Sequence, residues 1–78
     1  MLAYQRVYEQ ILQALKDNTY PIGSLLPAEP ELEKMYGVSR TTVRRAIAQL
    51  AEKGYVKVKQ GHGTIVLKSI YPTDAFEY

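Results

Sequence analysis

The amino-acid sequence predicts an α+β fold in which three short helices are followed by a β-hairpin. Apolar residues recur at helical spacing in three separate stretches before residue 54. Gly37 separates the second stretch from the third, and from Tyr55 onward apolar and polar residues alternate around a glycine-rich tip. We therefore expect two helices that meet at a tight turn, with a hairpin after them.

The first helix is expected over residues 3 to 17. Its apolar face is formed by residues at helical spacing, with structural tyrosines among them: Tyr4, Val7, Tyr8, Ile11, Leu12 and Leu15. The turn-forming residues from 17 to 24 end this helix. Leu25 and Leu26 are long enough only for a very short strand before Pro27, which would pair weakly unless the hairpin completes a sheet.

The second helix is expected to begin near Pro30, because proline suits the first turn of a helix. Acidic residues lie near its positive end: Glu29, Glu31 and Glu33. Leu32, Met35 and Tyr36 are predicted to face the core. Gly37 can adopt the left-handed conformation that ends a helix.

The third helix is expected to follow Ser39, whose hydroxyl can accept a hydrogen bond from a first-turn amide as the N-cap. The buried stripe recurs at i, i+3, i+4 and i+7: Val43, Ala46, Ile47 and Leu50. The face turned away from this stripe carries cations, a hydroxyl and a small side chain: Thr41, Arg44, Arg45 and Ala48. This chemistry suits the major groove of DNA, although a solvated basic face is the alternative.

The hairpin begins after Gly54, a natural residue to end the third helix. We expect strands at residues 55–60 and 64–67, with Lys57 and Lys59 on one face, and a tip at Gly61-His62-Gly63 that permits positive φ at two positions. This element order is that of a winged helix-turn-helix domain, which we assign to residues 1–68. Residues 69–78 have no clear period and are interpreted as the start of a linker to a further domain.

Composition excludes several classes of protein. A chain of 78 residues forms one small domain with little room for an enclosed active site, so we expect no enzyme. Cysteine is absent, and His62 stands without clustered carboxylates, so we expect no metal site and no cofactor. No apolar run approaches the ~18 residues of a membrane span, and no signal peptide is evident, so a cytoplasmic protein without membrane contact is expected.

The net charge of +2 is unevenly distributed along the chain. Residues 1–37 hold three basic and five acidic residues, a net charge of −2, whereas residues 38–68 hold seven basic residues and one acidic residue, a net charge of +6. Such segregation concentrates positive potential on the third helix and the hairpin. It is the electrostatic pattern expected of a surface that binds phosphates.

Several motifs resemble the N-terminal DNA-binding domain of the GntR family of bacterial transcription regulators: Leu26–Glu29, Gly37–Arg44, Leu50, Gly54–Tyr55 and Gln60–Val66. The resemblance covers residues 4 to 67. Within the family, Tyr8–Ile11 and Gly63–Leu67 are similar to the HutC-type branch, which includes trehalose-operon repressors. The resemblance implies a ligand-responsive regulator, most naturally a repressor of a carbohydrate or other catabolic operon. It also implies a double-stranded DNA operator as partner, a homodimer of the full-length protein, and a small-molecule effector bound by a C-terminal domain.

Family resemblance also assigns the DNA contacts. Major-groove and phosphate contacts fall on the start of the third helix, and minor-groove contacts on the hairpin tip: Ser39, Arg40, Thr41, Thr42, Arg44, Gly61, His62 and Gly63. Two positions depart from the family pattern. Pro30 stands where many members have an arginine that approaches the DNA backbone, and Arg45 stands where many have glutamate. We expect Arg45 to add a phosphate contact.

A winged-helix module for protein contact is the alternative function. Such modules often lose the basic recognition face, which this sequence concentrates instead. A salt-dependent duplex-binding assay distinguishes the two functions, because phosphate neutralisation releases counterions.

Overall fold

The computed structural model describes residues 2–59 and 61–67. Within these ranges three helices precede an antiparallel hairpin: α1 Ala3–Lys16, α2 Glu29–Tyr36, α3 Arg40–Glu52, β1 Val56–Lys59 and β2 Gly63–Val66. The predicted order of elements is confirmed. The predicted linker at residues 69–78 lies outside the described residues.

A single hydrophobic core joins all five elements. It consists of side chains that are at least nine-tenths buried: Val7, Ile11, Leu15, Leu26, Leu32, Val43, Ala46, Ile47, Leu50, Val56 and Val66. The four residues of the predicted α3 stripe are all among them, and no polar or charged residue in the described ranges is buried. None of the described helices combines the length and apolar character needed to cross a bilayer.

The turn between α2 and α3 forms as its residue types predict. Gly37 has a φ of 63°, and its N–H donates to the carbonyl of Glu33 at 2.8 Å. Ser39 is the N-cap of α3, and its Oγ accepts a hydrogen bond from the N–H of Thr42 at 3.2 Å. Left-handed backbone at Gly37 costs little because glycine has no Cβ. These two residues fix the direction in which α3 leaves α2.

The hairpin pairs Val56 with Val66 at its base and Lys59 with Gly63 at its end. An isolated bridge pairs Leu25 with Ile65, at the place where the sequence predicted a very short strand, but the sheet of the described residues has two strands. The N–H of Leu26 donates to the carbonyl of Thr64 at 2.9 Å. The segment after α1 is thus fastened to the outer edge of β2, and Leu26 enters the core.

One core prediction was wrong. Met35 was expected to face inward, but 54% of it is exposed, while Leu32 is buried and Tyr36 is half-buried. The physical reason is that the eight-residue α2 packs mainly on α3, so only a narrow stripe centred on Leu32 is covered. Val58 is also exposed, because the hairpin extends beyond the core after Val56.

The contrast within α2 gives a test of the packing. Leu32→Ala is expected to lower the free energy of unfolding by about 2–5 kcal/mol, since it leaves a cavity in a fully buried site. Met35→Ala, on the same helix but exposed, is the matched control and should change that free energy by less than about 0.5 kcal/mol. Urea unfolding followed by circular dichroism measures both values, and equal losses would contradict the assigned helix orientation.

Candidate nucleic-acid interface

The outward face of α3 forms the centre of the candidate interface. Five of its residues are exposed: Arg40, Thr41, Arg44, Arg45 and Ala48. Thr42 is half-buried beside them. Because α3 packs against α1, α2 and β1 on its other sides, this face is the one left open to a partner.

The three hydroxyl side chains at the start of α3 are in different situations. Ser39 Oγ accepts a hydrogen bond from the N–H of Thr42 and also lies 3.0 Å from Thr42 Oγ1. Both side chains therefore belong to the helix cap. Thr41 is exposed and has no side-chain hydrogen bond to another described residue. Thr41 therefore presents both its hydroxyl and its methyl group outward, whereas Ser39 and Thr42 can share only their remaining hydrogen-bonding capacity with DNA.

Arg40 and Arg44 lie together on one carboxylate. Nε of Arg40 is 3.5 Å from Oε1 of Glu29, and Nε of Arg44 is 3.3 Å from Oε2 of the same residue. The two arginine side chains are 66% and 61% exposed, whereas that of Glu29 is 34% exposed. Glu29 thus holds the inner side of both guanidinium groups, and their outer sides face solvent.

Sequence reasoning missed this contact of Glu29. It assigned that residue only to the favourable start of α2, a role the structure also supports, since Glu29 is in the first turn. The available signal was its place at the end of the Leu26–Glu29 motif, next to Pro30. Nothing in the spacing of residues 29, 40 and 44 indicates that they meet.

Arg45 makes a different contact from this pair. Its guanidinium carbon is 4.1 Å from the centroid of the Tyr4 ring, a cation–π contact between α3 and α1. Tyr8 lies one turn beyond Tyr4 on α1, and its ring centroid is 6.0 Å from Nζ of Lys53. Tyr8 therefore packs against the core, and both α1 tyrosines contact a cation of α3 or of its C-cap.

The electrostatics near the turn involve Arg6 and Tyr36. Nη2 of Arg6 donates to the backbone carbonyl of Tyr36 at 3.4 Å, which links α1 to the end of α2. Burial raises the pKa of the Tyr36 phenol, and Tyr20 adds to the rise. Tyr36 is consequently neutral at physiological pH and adds no charge beside the recognition face.

The hairpin tip projects away from the core. Gly61 and Gly63 have φ values of 78° and 94°, as the predicted tip required, and the N–H of His62 donates to the carbonyl of Lys59 at 2.9 Å. All three tip residues are exposed. A Cβ at Gly63 would meet only Leu25 Cδ2 at 3.8 Å, an ordinary contact. The conformation, not the available space, is what favours glycine there.

The arrangement is suited to binding an extended anion on an open surface. Across the described ranges, no three His, Cys, Asp or Glu residues are grouped so that they could hold a metal ion. The cationic α3 face and the exposed tip are the two features that could contact a nucleic acid. DNA contact stays a prediction for each of the nine residues assigned to it.

Comparison with known sequences identifies the family. The model of the family described as "Bacterial regulatory proteins, gntR family" matches residues 3–66. The chain belongs to this family. Among curated relatives, the fatty acid metabolism regulator protein of Shewanella baltica is 45% identical over 56 residues, which cover 72% of this chain and 24% of the relative. The protein of the same name from Shewanella denitrificans is also 45% identical and is 23% covered.

Solved structures of the gntR family share the fold. The AraR DNA-binding domain in complex with operator ORE1 has a TM-score of 0.83 and 35% identity, covering 85% of this chain and 80% of that one. A GntR family transcriptional regulator from Listeria monocytogenes has a TM-score of 0.82 and 27% identity, covering 86% of this chain and 59% of that one. The winged helix-turn-helix prediction is confirmed.

These comparisons establish that the chain is a DNA-binding domain of the kind found in gntR-family transcription regulators. The AraR DNA-binding domain is bound to operator DNA in its solved complexes, and the curated relatives are named as regulator proteins. The chain spans about a quarter of the length of the curated relatives it matches.

The cap of α3 yields a stability prediction. Ser39→Ala should lower the free energy of unfolding by about 1 kcal/mol, because the amide of Thr42 loses its acceptor. Ser39→Asp, which keeps an acceptor at the N-cap, serves as the control and should remain close to the parent chain. Thermal unfolding at low salt measures the difference, and an unchanged midpoint for the alanine variant would show that the cap contributes nothing.

Proposed function

We propose that this chain provides sequence-specific binding to an operator as the DNA-binding domain of a ligand-responsive transcription regulator, a repressor of a carbohydrate or other catabolic operon. The observation that carries this proposal is the paired display of Arg40 and Arg44 on the open face of α3. The operator complexes of the AraR DNA-binding domain, which has the same fold, support it.

Major-groove recognition is assigned to the first turns of α3. An arginine can donate two parallel hydrogen bonds to O6 and N7 of guanine, and a threonine methyl group can contact the methyl group of thymine. Arg40, Arg44 and Thr41 have these groups on the exposed face. Ser39 and Thr42 lie at the amino end of α3, where hydroxyls and backbone amides suit a phosphate.

Minor-groove contact is assigned to the hairpin tip. Gly61 and Gly63 allow close approach of the backbone, and exposed His62 between them can enter a narrow groove.

Arg45 is assigned to a phosphate contact. Its guanidinium group would make this contact while it stays over the ring of Tyr4. With α3 in the major groove and the hairpin tip in the adjacent minor groove, both would contact the same duplex.

Alanine substitutions separate base recognition from phosphate contact. Arg40→Ala and Arg44→Ala should each remove about 1–3 kcal/mol of binding free energy for the specific duplex and relax preference at particular base pairs. Arg45→Ala should weaken binding to all sequences and reduce the salt slope by about one unit. Fluorescence anisotropy with a selected duplex and a scrambled duplex at several salt concentrations measures these quantities. Equal losses on both duplexes for all three variants would refute this division of roles.

The wing prediction concerns Gly63, whose φ of 94° is unfavourable for a branched side chain. Gly63→Val should distort the tip and reduce minor-groove protection beside each major-groove site, while the helical core stays folded. His62→Ala is the companion variant, which removes the side chain and keeps the backbone. Hydroxyl-radical footprinting reports the protection. An unchanged footprint in the folded double variant would leave the wing without a DNA role.

The remaining parts of the proposal concern the whole regulator. A second DNA-binding domain in a homodimer raises avidity by about 10²–10⁴ when the spacing fits. A small-molecule effector would act from a C-terminal domain, in the bacterial cytoplasm where the operator lies. The HutC-type branch placement is supported by residues 8–11 and 63–67. The fatty acid metabolism regulators among the relatives support control of a metabolic operon, but they do not indicate that the operon serves carbohydrate metabolism.

One titration tests the proposal as a whole. Labelled operator is titrated with this chain and with the full-length regulator, each with and without candidate sugars, sugar phosphates or acyl thioesters. We expect weaker binding by the 78-residue chain and an effector response only from the longer protein, since an effector shifts binding only through a site it contacts. Salt-independent or absent duplex binding would instead favour a protein-interaction module.

A further inference from the structure

Glu29 occupies a position between the two arginines to which base recognition is assigned. Each of its two carboxylate oxygens faces the Nε of one arginine, at 3.5 Å for Arg40 and 3.3 Å for Arg44. The arginines are one helical turn apart on α3, and Glu29 comes from the start of α2. A single side chain from a different helix therefore holds both cations in register.

We propose that Glu29 is a positioning residue that orients Arg40 and Arg44 for base recognition and restrains them from binding phosphates indiscriminately. This inference rests on the proposed function, because it concerns the specificity of the same recognition face. It assigns to the α2 acid a role in selecting DNA sequence without requiring that Glu29 itself contact DNA.

The geometry supports orientation of the arginines. A guanidinium group has an Nε–H on its inner side and two Nη groups at its outer end. The carboxylate of Glu29 is within reach of the inner Nε atoms, so the outer Nη1–Nη2 edges remain available. That outer edge can donate two parallel hydrogen bonds to guanine. Glu29 thus engages the part of each side chain that guanine recognition does not need.

The charges support restraint. Arg40, Arg44 and Glu29 together carry a net charge of +1, whereas the arginines alone would carry +2. Lower net charge weakens sequence-independent attraction to phosphates, and prior ordering of flexible side chains reduces the entropic cost of specific binding. The charge effect acts on both affinities, whereas the ordering acts on the specific affinity, so the ordering is what raises the ratio of specific to random affinity.

Glu31 supplies a matched control. It lies in the same first turn of α2 and carries the same charge, but it makes no ion pair with any arginine in the described part of the chain. Glu31→Gln therefore reproduces the change in net charge without removing the contact. Glu29→Gln makes the same change in net charge and also removes the shared ion pair, because the amide keeps one acceptor oxygen where the two arginines need two.

The experiment measures dissociation constants of the 78-residue chain for two labelled duplexes. One is selected by the parent chain from a random library, and the other is a scrambled duplex of the same composition. Glu29→Gln should lower the specific-to-random affinity ratio by about tenfold. Glu31→Gln should raise both affinities modestly and leave the ratio unchanged. Equal ratios for the two variants would overturn the inference.

A second readout separates positioning from a purely structural role of Glu29 at the helix start. In ¹⁵N-resolved NMR spectra of the free chain, the Nε–H signals of Arg40 and Arg44 should shift in Glu29→Gln and not in Glu31→Gln. Glu29→Ala carries the same expectations if the glutamine variant does not fold. Unshifted signals would overturn the inference about Glu29 and leave the proposed function standing. If the parent chain binds both duplexes equally, the proposed function fails and the inference with it.

Discussion

The packing of α3 is the constraint on which the other features depend. Its apolar stripe is almost completely buried against α1, α2 and β1: Val43, Ala46, Ile47 and Leu50. A helix held on three sides has one free side, and the helical repeat of about 100° per residue determines which residues lie on it. The same periodicity that forms the core therefore selects the side chains available to DNA. The helix that contributes most residues to the core is therefore also the one that carries the proposed DNA contacts.

Charge on the recognition face is moderated by the neighbouring helix. The acidic start of α2 is favourable for α2 itself, because negative charge stabilises a helix N-terminus. Glu29, in the first turn of α2, also meets Arg40 and Arg44 of α3. The Glu29 carboxylate thus stabilises the start of α2 and also pairs with two arginines of α3. An acidic residue of the first half of the sequence therefore pairs, between α2 and α3, with basic residues of the second half.

Local features of the fold could be predicted from the sequence, because each depends on a few neighbouring residues. The helical periods, the left-handed Gly37, the Ser39 cap and the glycine-rich tip are of this kind. Contacts between helices could not be predicted, since they depend on crossing angles. The Glu29 pair, the Arg45–Tyr4 contact and the exposure of Met35 all arise from the way α1, α2 and α3 cross. The sequence predicted which cations contact DNA, but it did not indicate which side chains of the protein they meet.

The relation between α3 and the hairpin is determined by the protein rather than by a bound duplex. The N–H of Tyr55 donates to the carbonyl of Leu50 at 3.0 Å, and the N–H of Leu67 donates to the carbonyl of Tyr55 at 2.8 Å. Val56 and Val66 are buried beside these bonds. The base of the hairpin is therefore anchored to the end of α3. In the proposed DNA complex, this anchoring would keep the reorganisation between α3 and the base of the hairpin small.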